Sequence, residues 1–313
     1  MTILLYLALI VSFSLILVKA VNIFVHSASE LAREFGISEY TISFLLVAIG
    51  TSLPEVIVGV TAALNNDSIL SYGNAVGSNI ALVTLIISMP ILLGTGISTR
   101  YIIHSRDIYY STALAFLPAV LIVDGSISKI DGIILVSLYI IYTFTILKRN
   151  TPVQRFLEKL DNTNLWKEFL FFIMSLILLL AASQGIVKSA TIISTSLGIG
   201  LGFIGLTITA IGTSLPEIAY AVTAIKNKKQ DEILGNIIGS VVANSTLVLG
   251  VASIINPIVL KGTNFGASTI FFLVFSVLIF LRFTKTKERL DKKEGVILFL
   301  IYILFITTEF FLQ

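Results

Sequence analysis

The stretch Ala48-Ile49-Gly50-Thr51-Ser52-Leu53-Pro54-Glu55 occurs twice in this chain. Ala210-Ile211-Gly212-Thr213-Ser214-Leu215-Pro216-Glu217 repeats all eight residues 162 positions later. At the same offset, Gly73-Asn74-Ala75-Val76-Gly77-Ser78 is answered by Gly235-Asn236-Ile237-Ile238-Gly239-Ser240. A pattern duplicated at one fixed offset implies two related halves. Each copy also sets a carboxylate, a proline and small hydroxylated residues inside an apolar run. That combination makes a poor packed core and a good cation site.

Composition says where such halves reside. Of 313 residues, 56% are hydrophobic and only 12% charged, with a mean hydropathy of +0.99. Soluble domains carry about 25% charged residues, so this chain is an integral membrane protein in contact with lipid. It has no cysteine, which excludes disulfides and thiolate metal sites. The net charge of +3 is accounted for by basic loops and gives no support to nucleic-acid binding. The first 25 residues lack a basic leader and a small-residue cleavage site, and read as a first span rather than a removable signal.

A helix needs about 20 largely apolar residues to cross about 30 Å of hydrocarbon. By that rule ten spans are expected, at 2–25, 38–65, 69–93, 107–123, 129–148, 167–190, 199–226, 231–255, 267–283 and 294–312. The longest polar stretch lies between Lys148 and Lys167. It divides the chain into a first half (1–148), a linker (149–166) and a second half (167–313) of five spans each.

Lysine and arginine in short loops stay on the cytoplasmic side. With the N-terminus outside, the inner connections hold seventeen of the 21 basic residues, against Lys129 and Lys261 outside and Lys19 and Lys188 within spans. Both termini are therefore expected outside and the linker in the cytoplasm. The two motif copies fall on the second and seventh spans. Five spans separate them, an odd number, so the copies enter the membrane from opposite faces. The fold class expected is an all-α membrane protein of ten helices forming two inverted five-helix repeats. Secondary transporters use that plan to expose one midplane site to each face in turn.

Gly50 tolerates unusual backbone angles, and Pro54 lacks an N–H and clashes with the preceding turn. Together they should break the second span near residues 50–53, as Gly212 and Pro216 should break the seventh. Irregular backbone at membrane depth persists only where it is buried in protein or lines a cavity. The carbonyls of Ala48, Thr51, Ala210 and Thr213 are then expected to lose their helical partners and face the break as hard oxygen ligands. Ser52-x-x-Glu55 and Ser214-x-x-Glu217 also match a helix capping box. A cap contributes about 1 kcal/mol, whereas an acid at the bilayer centre costs roughly 2.5–3.5 kcal/mol. Capping alone does not account for two such acids.

Inversion brings Glu55 and Glu217 together at the centre. Two carboxylates ~4 Å apart repel by about 4 kcal/mol at an effective dielectric of about 20. One divalent cation, or two or more monovalent ones, neutralises the pair. Gly73-x-x-x-Gly77 and Gly235-x-x-x-Gly239 read as close-packing contacts that bring Ser78 and Ser240 beside the broken helices. Four residues beyond each serine, on the same helical face, stand Leu82 and Asn244. Only Asn244 offers an oxygen. Asn74 and Asn236 read as packing glue, Gln184 and Tyr220 as packing residues beside a pathway, and Asp124-Gly125 and Asp131-Gly132 as turns.

The doubled Gly50-Thr51-Ser52-Leu53-Pro54-Glu55 and Gly73-Asn74-Ala75-Val76-Gly77-Ser78 resemble the two alpha-repeats of the sodium/calcium exchanger family, within the cation/calcium exchanger superfamily. The likeness covers the whole chain. The short linker, with no room for a regulatory calcium-binding domain, resembles compact prokaryotic members. The resemblance implies calcium held by Glu55 and Glu217 with the Thr51 and Thr213 carbonyls. It implies sodium on the Ala48 and Ala210 carbonyls, the Ser52, Ser78, Ser214 and Ser240 hydroxyls and the glutamates. The first and sixth spans would slide against the remainder. Family members carry asparagine or aspartate at the position of Leu82 as well as at Asn244. Leu82 departs from that pattern, and exchange of calcium for protons is the alternative.

The reading is thus a calcium/sodium antiporter acting as a monomer, with no cofactor and no enzymatic activity. An intramembrane protease built on the two acids lacks a Gly-x-Gly-Asp stretch and has no use for inversion. A channel needs a continuous pore, usually from several subunits.

Overall fold

The computed structural model describes residues 2–34, 52–94, 96–99, 107–149, 165–226, 230–260, 266–286 and 289–312, and these are helical almost throughout. Helix α1 spans Thr2–Glu34 and α2 Leu53–Leu64. Helix α3 covers Ser68–Ala81, passes through a π-helical turn at Leu82–Ile86 and continues over Ile87–Leu93. Helices α4 (Asp107–Leu121) and α5 (Lys129–Arg149) complete the first half. Helix α6 spans Leu165–Leu197. Helix α7 covers Leu201–Ile204, a π-helical turn at Gly205–Thr209 and Ala210–Thr213, and α8 follows at Leu215–Lys226. Helix α9 covers Gln230–Ala243, a π-helical turn at Asn244–Val248 and Leu249–Ile255. Helices α10 (Ala267–Thr286) and α11 (Lys292–Phe311) close the order.

Four successive segments recur with identical lengths at an offset of 162. Leu53–Leu64 answers Leu215–Lys226, Ser68–Ala81 answers Gln230–Ala243, Leu82–Ile86 answers Asn244–Val248, and Ile87–Leu93 answers Leu249–Ile255. Helices α1 and α6 are both 33 residues long. Two short ladders join the halves. β1 (Ile97–Ser98) pairs antiparallel with β4 (Arg289–Leu290), and β2 (Ser126–Ile127) with β3 (Ile258–Val259). The 162 offset carries β1 and β4 onto positions that overlap β3 and β2 with a shift of one residue in each strand, so exchanging the halves nearly superposes the two ladders.

The π-helical turns share a local feature. Each has threonine at its third position, bonding the carbonyl four residues back: Thr84 to Ile80, Thr207 to Phe203 at 2.7 Å and Thr246 to Val242 at 2.6 Å. The same bond at Thr145, Thr191 and Thr307 leaves an ordinary α-helix, so the hydroxyl accompanies the wider turn and does not by itself produce it.

Among the described residues, six helices are long and apolar enough to cross a membrane, or seven if the bent pair α7–α8 is one span. The expected second span is described only from Ser52 onward. The fourth reaches just 15 residues in α4, with Pro118 inside it. Over their most apolar stretches, 78% of α3 and 72% of α9 is buried, against 22% of α1 and 33% of α6. The centre is therefore α3 and α9, with α1 and α6 packed along one another at the perimeter. Asp131 corrects one turn assignment. It lies in the first turn of α5, where it accepts from the Ser128 amide at 2.8 Å, and Gly132 packs against Gly250. Asp124-Gly125 is a turn as read, with Gly125 left-handed at φ +87°.

Candidate functional site

Chain direction changes at Ser214, where α7 and α8 meet at 43°. Ser52 precedes α2 with backbone angles of −87° and 2°, close to the −85° and 12° of Ser214. Pro54 and Pro216 are thus second residues of new helices, where a missing N–H costs nothing. Ala48, Gly50 and Thr51 lie outside the described residues.

The capping box does not form at the first copy. Ser52 makes no side-chain cap, and its Oγ is buried without a partner. Glu55 and Glu217 lie in the first turns of α2 and α8, where helix N–H groups are left without helical partners. Both glutamates are 1% exposed, and each remains within electrostatic reach of the other. Among the described residues no lysine or arginine pairs with either carboxylate.

The halves interlock here. Ser214 Oγ donates to Glu55 Oε1 at 3.1 Å and stands 3.2 Å from Ser78 Oγ. Ser78 Oγ donates to the Ala210 carbonyl at 3.4 Å. Ser240 Oγ donates to Glu217 Oε1 at 3.3 Å. Thr213 Oγ1 donates to Asn74 Oδ1 at 3.0 Å, so Asn74 anchors the broken helix and is more than packing glue. The structure thus brings together Glu55, Ser78, Ala210, Thr213 and Ser214, and sets Glu217 with Ser240 beside them. Asn244, fully buried, leaves both Oδ1 and Nδ2 unpaired.

Ala210 requires a correction. Its carbonyl is not released from the helix: it accepts the Ser214 amide at 3.1 Å, and the Thr213 hydroxyl lies 3.2 Å away. Proline at 216 removes the donor that a helix would direct at residue 212, four back, and leaves residue 210 served. A carbonyl has two lone pairs, and the amide occupies one of them.

Close backbone approach assembles the site. A Cβ at Gly73 would meet the Gly202 carbonyl, and one at Gly77 the backbone of Leu206, so α3 and α7 touch without intervening side chains. At Gly235 and Gly239 no such contact exists among the described residues. Their counterparts of Gly202 and Leu206, residues 40 and 44, lie outside that set. Gly212 lets Ser14 of α1 come against the broken helix.

Two features were not read from the sequence. Asn79 Nδ2 donates to Ser245 Oγ at 2.7 Å across the halves; neither position is repeated at the 162 offset, so no pattern flagged them. Thr209 buries an unpaired hydroxyl one residue before Ala210. Gln184 is not mere packing: it accepts from Asn65 at 3.1 Å, in a polar seam between α2 and α6 that includes Thr61 and Ser183 at 2.9 Å.

Among the described residues, the buried oxygens around the acids that lack hydrogen-bond partners include Glu55 Oε2, Glu217 Oε2, Ser52 Oγ and Asn244 Oδ1. Buried polar atoms are normally satisfied. Orphaned hard oxygens beside two uncompensated carboxylates have the chemistry of a cation site.

Comparisons with known proteins agree with this chemistry. The family model "Sodium/calcium exchanger protein" matches residues 5–148 and 167–311. The putative antiporter CaxA of Alkalimonas amylolytica is 32% identical over 299 residues, covering 92% of this chain and 93% of that protein. The sodium/calcium exchanger MaX1 of Methanosarcina acetivorans is 29% identical, covering 95% and 96%. A solved structure of the sodium-calcium exchanger NCX_Mj, soaked with sodium and strontium, superposes with a TM-score of 0.65 at 27% identity, covering 98% of this chain and 99% of that one. The chain belongs to the sodium/calcium exchanger family, as a compact multi-pass membrane antiporter.

Proposed function

We propose that the protein exchanges calcium for sodium across the cell membrane, by alternating access at a site between Glu55 and Glu217. The observation that carries this reading is the set of orphaned oxygens around two buried carboxylates, one from each half. Calcium takes both carboxylates with the carbonyls of Thr51 and Thr213. Sodium takes the carbonyls of Ala48 and Ala210, the hydroxyls of Ser52, Ser78, Ser214 and Ser240, and the amide oxygen of Asn244. Of these donors, Ala48 and Thr51 lie outside the described residues.

Charge makes the site an exchanger. Two carboxylates in an apolar interior hold two negative charges that must be neutralised before the site can change sides cheaply. One calcium does this, and so do two or more sodium ions. The unloaded state does not, so each load must leave before another permits the return. Ten spans in two inverted repeats, 1–148 and 167–313 about the cytoplasmic linker 149–166, with both termini outside, supply the two-sided access. Support comes from the equal-length segments at offset 162 and from the strand ladders that nearly superpose when the halves exchange. Helices α1 and α6, peripheral and packed on each other, are the pair free to slide. The named exchangers among its relatives, MaX1 and NCX_Mj, favour calcium and sodium as the ions.

One residue favours a second reading, with protons in place of sodium. Leu82 is fully buried and fills the position equivalent to Asn244, so one half lacks an amide oxygen. Calcium uptake into vesicles under separately imposed sodium and pH gradients tests both. Uptake driven by the sodium gradient, and abolished by Glu55→Gln or Glu217→Gln, is the expected result. Uptake that follows only the pH gradient selects the second reading, and uptake surviving both substitutions refutes the site.

A further inference from the structure

Glu309 is a buried carboxylate that the two-glutamate site leaves unused. It lies in the last turn of α11 and is 2% exposed. Thr269 Oγ1, on α10 and itself fully buried, donates to Glu309 Oε1 at 2.9 Å. Ser268, the preceding residue, buries a hydroxyl that has no hydrogen-bond partner among the described residues. The Tyr72 phenol, on α3, adjoins the carboxylate electrostatically. An acid of α11 is thus bonded by a hydroxyl of α10, with the phenol of α3 nearby.

Among the described residues no lysine or arginine pairs with it. Tyr72 is the sole titratable residue on α3, and α7, whose Phe203 packs on Phe310 at 6.1 Å, has none. On α10 the charged residues within the helix are Arg282 and Lys285, 13 or more residues from Thr269 and roughly 20 Å away along the axis. On α11, Lys292, Lys293 and Glu294 lie at the opposite end, and Tyr302 is two turns back. The C-terminal end of a helix is moreover its negative pole, which disfavours an anion. A lone buried negative charge in that position calls for one positive charge. A calcium ion would leave an excess positive charge in apolar surroundings, at a similar penalty.

We propose that Glu309, Thr269, Ser268 and Tyr72 form a second cation site, separate from the two-glutamate pair, that takes one monovalent cation, a proton or a sodium ion. It stands on its own oxygens and does not require the exchange reading. Its place beside the first turns of α3 and α7, the helices that carry Asn74, Ser78 and Thr213, puts its occupancy next to elements that build the main site.

The test uses the full chain in detergent with Glu55→Gln and Glu217→Gln together, so that the main pair contributes no charge. Radioactive sodium binding and the infrared carbonyl band of a protonated carboxyl group are followed as pH is stepped. A sodium site gives one saturable sodium per chain. A proton site gives a carboxyl band that titrates while no sodium binds. Either signal must vanish when Glu309→Gln is added, in protein that elutes as a single species and unfolds at the parental temperature. Should that variant fail to fold, Thr269→Val removes the hydroxyl that supports the ionised carboxylate: a sodium site is then expected to bind roughly 5- to 10-fold more weakly, and a proton site to keep its carboxyl band to higher pH. No sodium and no titrating band, or a signal unchanged by both substitutions, overturns the proposal. A wild-type chain that moves no calcium would refute the exchange reading and leave this test intact.

Discussion

Replacing Gly77 by alanine tests whether the ion site depends on bare contact between α3 and α7. The new Cβ would stand 2.6 Å from Leu206 Cα and 2.7 Å from its carbonyl carbon. Both are backbone atoms and cannot rotate aside. Ordinary contact begins at 3.4 Å, so the helices must part by at least about 0.8 Å, and the Leu206 carbonyl oxygen, nearer still, demands more. Overpacking of this kind costs about 1–3 kcal/mol. Helix α7 leads directly to Ser214, so a shift transmitted along it opens the Ser214–Glu55 contact from 3.1 Å to roughly 3.9 Å, beyond hydrogen-bonding range. A bond to a charged acceptor contributes about 1.5–3 kcal/mol. Partial relaxation leaves an expected rise of up to roughly tenfold in half-saturating calcium. Thermal unfolding in detergent, together with calcium uptake into sodium-loaded vesicles over a range of calcium concentrations, measures both effects. An unchanged unfolding temperature with unchanged half-saturation would refute the claim that this contact holds the site in register.

Further outcomes follow from single side chains. Ser214→Ala removes the donor to Glu55 and the neighbour of Ser78, and should weaken apparent calcium affinity by roughly tenfold or more while folding is retained; equal affinity in uptake assays would exclude Ser214 from the site. Asp67 caps α3 outside the membrane-spanning segments, and burial holds its carboxyl above the usual range, opposed by the Thr191 hydroxyl. Its folded form therefore binds the proton more tightly than the unfolded chain, and its contribution to stability falls as pH rises from the ordinary aspartate range through the raised value. Asp67→Asn should gain unfolding temperature relative to wild type from acid to neutral pH, and a difference that shrinks over that range would contradict the assignment.

Much of this was legible in the sequence because the relevant physics is local or periodic. Hydropathy gave the membrane, since a helix must match the bilayer whatever its neighbours. The 162-residue offset gave the two halves, and the structure returns it in four consecutive segments of equal length. Gly212 and Pro216 gave the break, which falls between them at Ser214. The Gly73–Gly77 pair gave a helix contact, and Leu206 occupies it. What proline would do to a particular carbonyl was less secure: the donor lost at 216 concerns residue 212, and Ala210 keeps its amide partner.

Sequence by itself determined that this chain is a duplicated membrane protein with two acids in its apolar runs, because span length, charge bias and repeat offset are properties of the chain alone. Only the tertiary structure decided which atoms those acids meet. Ser214 reaches Glu55 and Thr213 reaches Asn74 across 159 and 139 residues, and nothing in either neighbourhood announces its partner. The same holds for Glu309, an acid near the end of the last helix in the sequence. Its burial and its bond to Thr269 arise from the packing of α3, α10 and α11, and exist only once those helices are side by side.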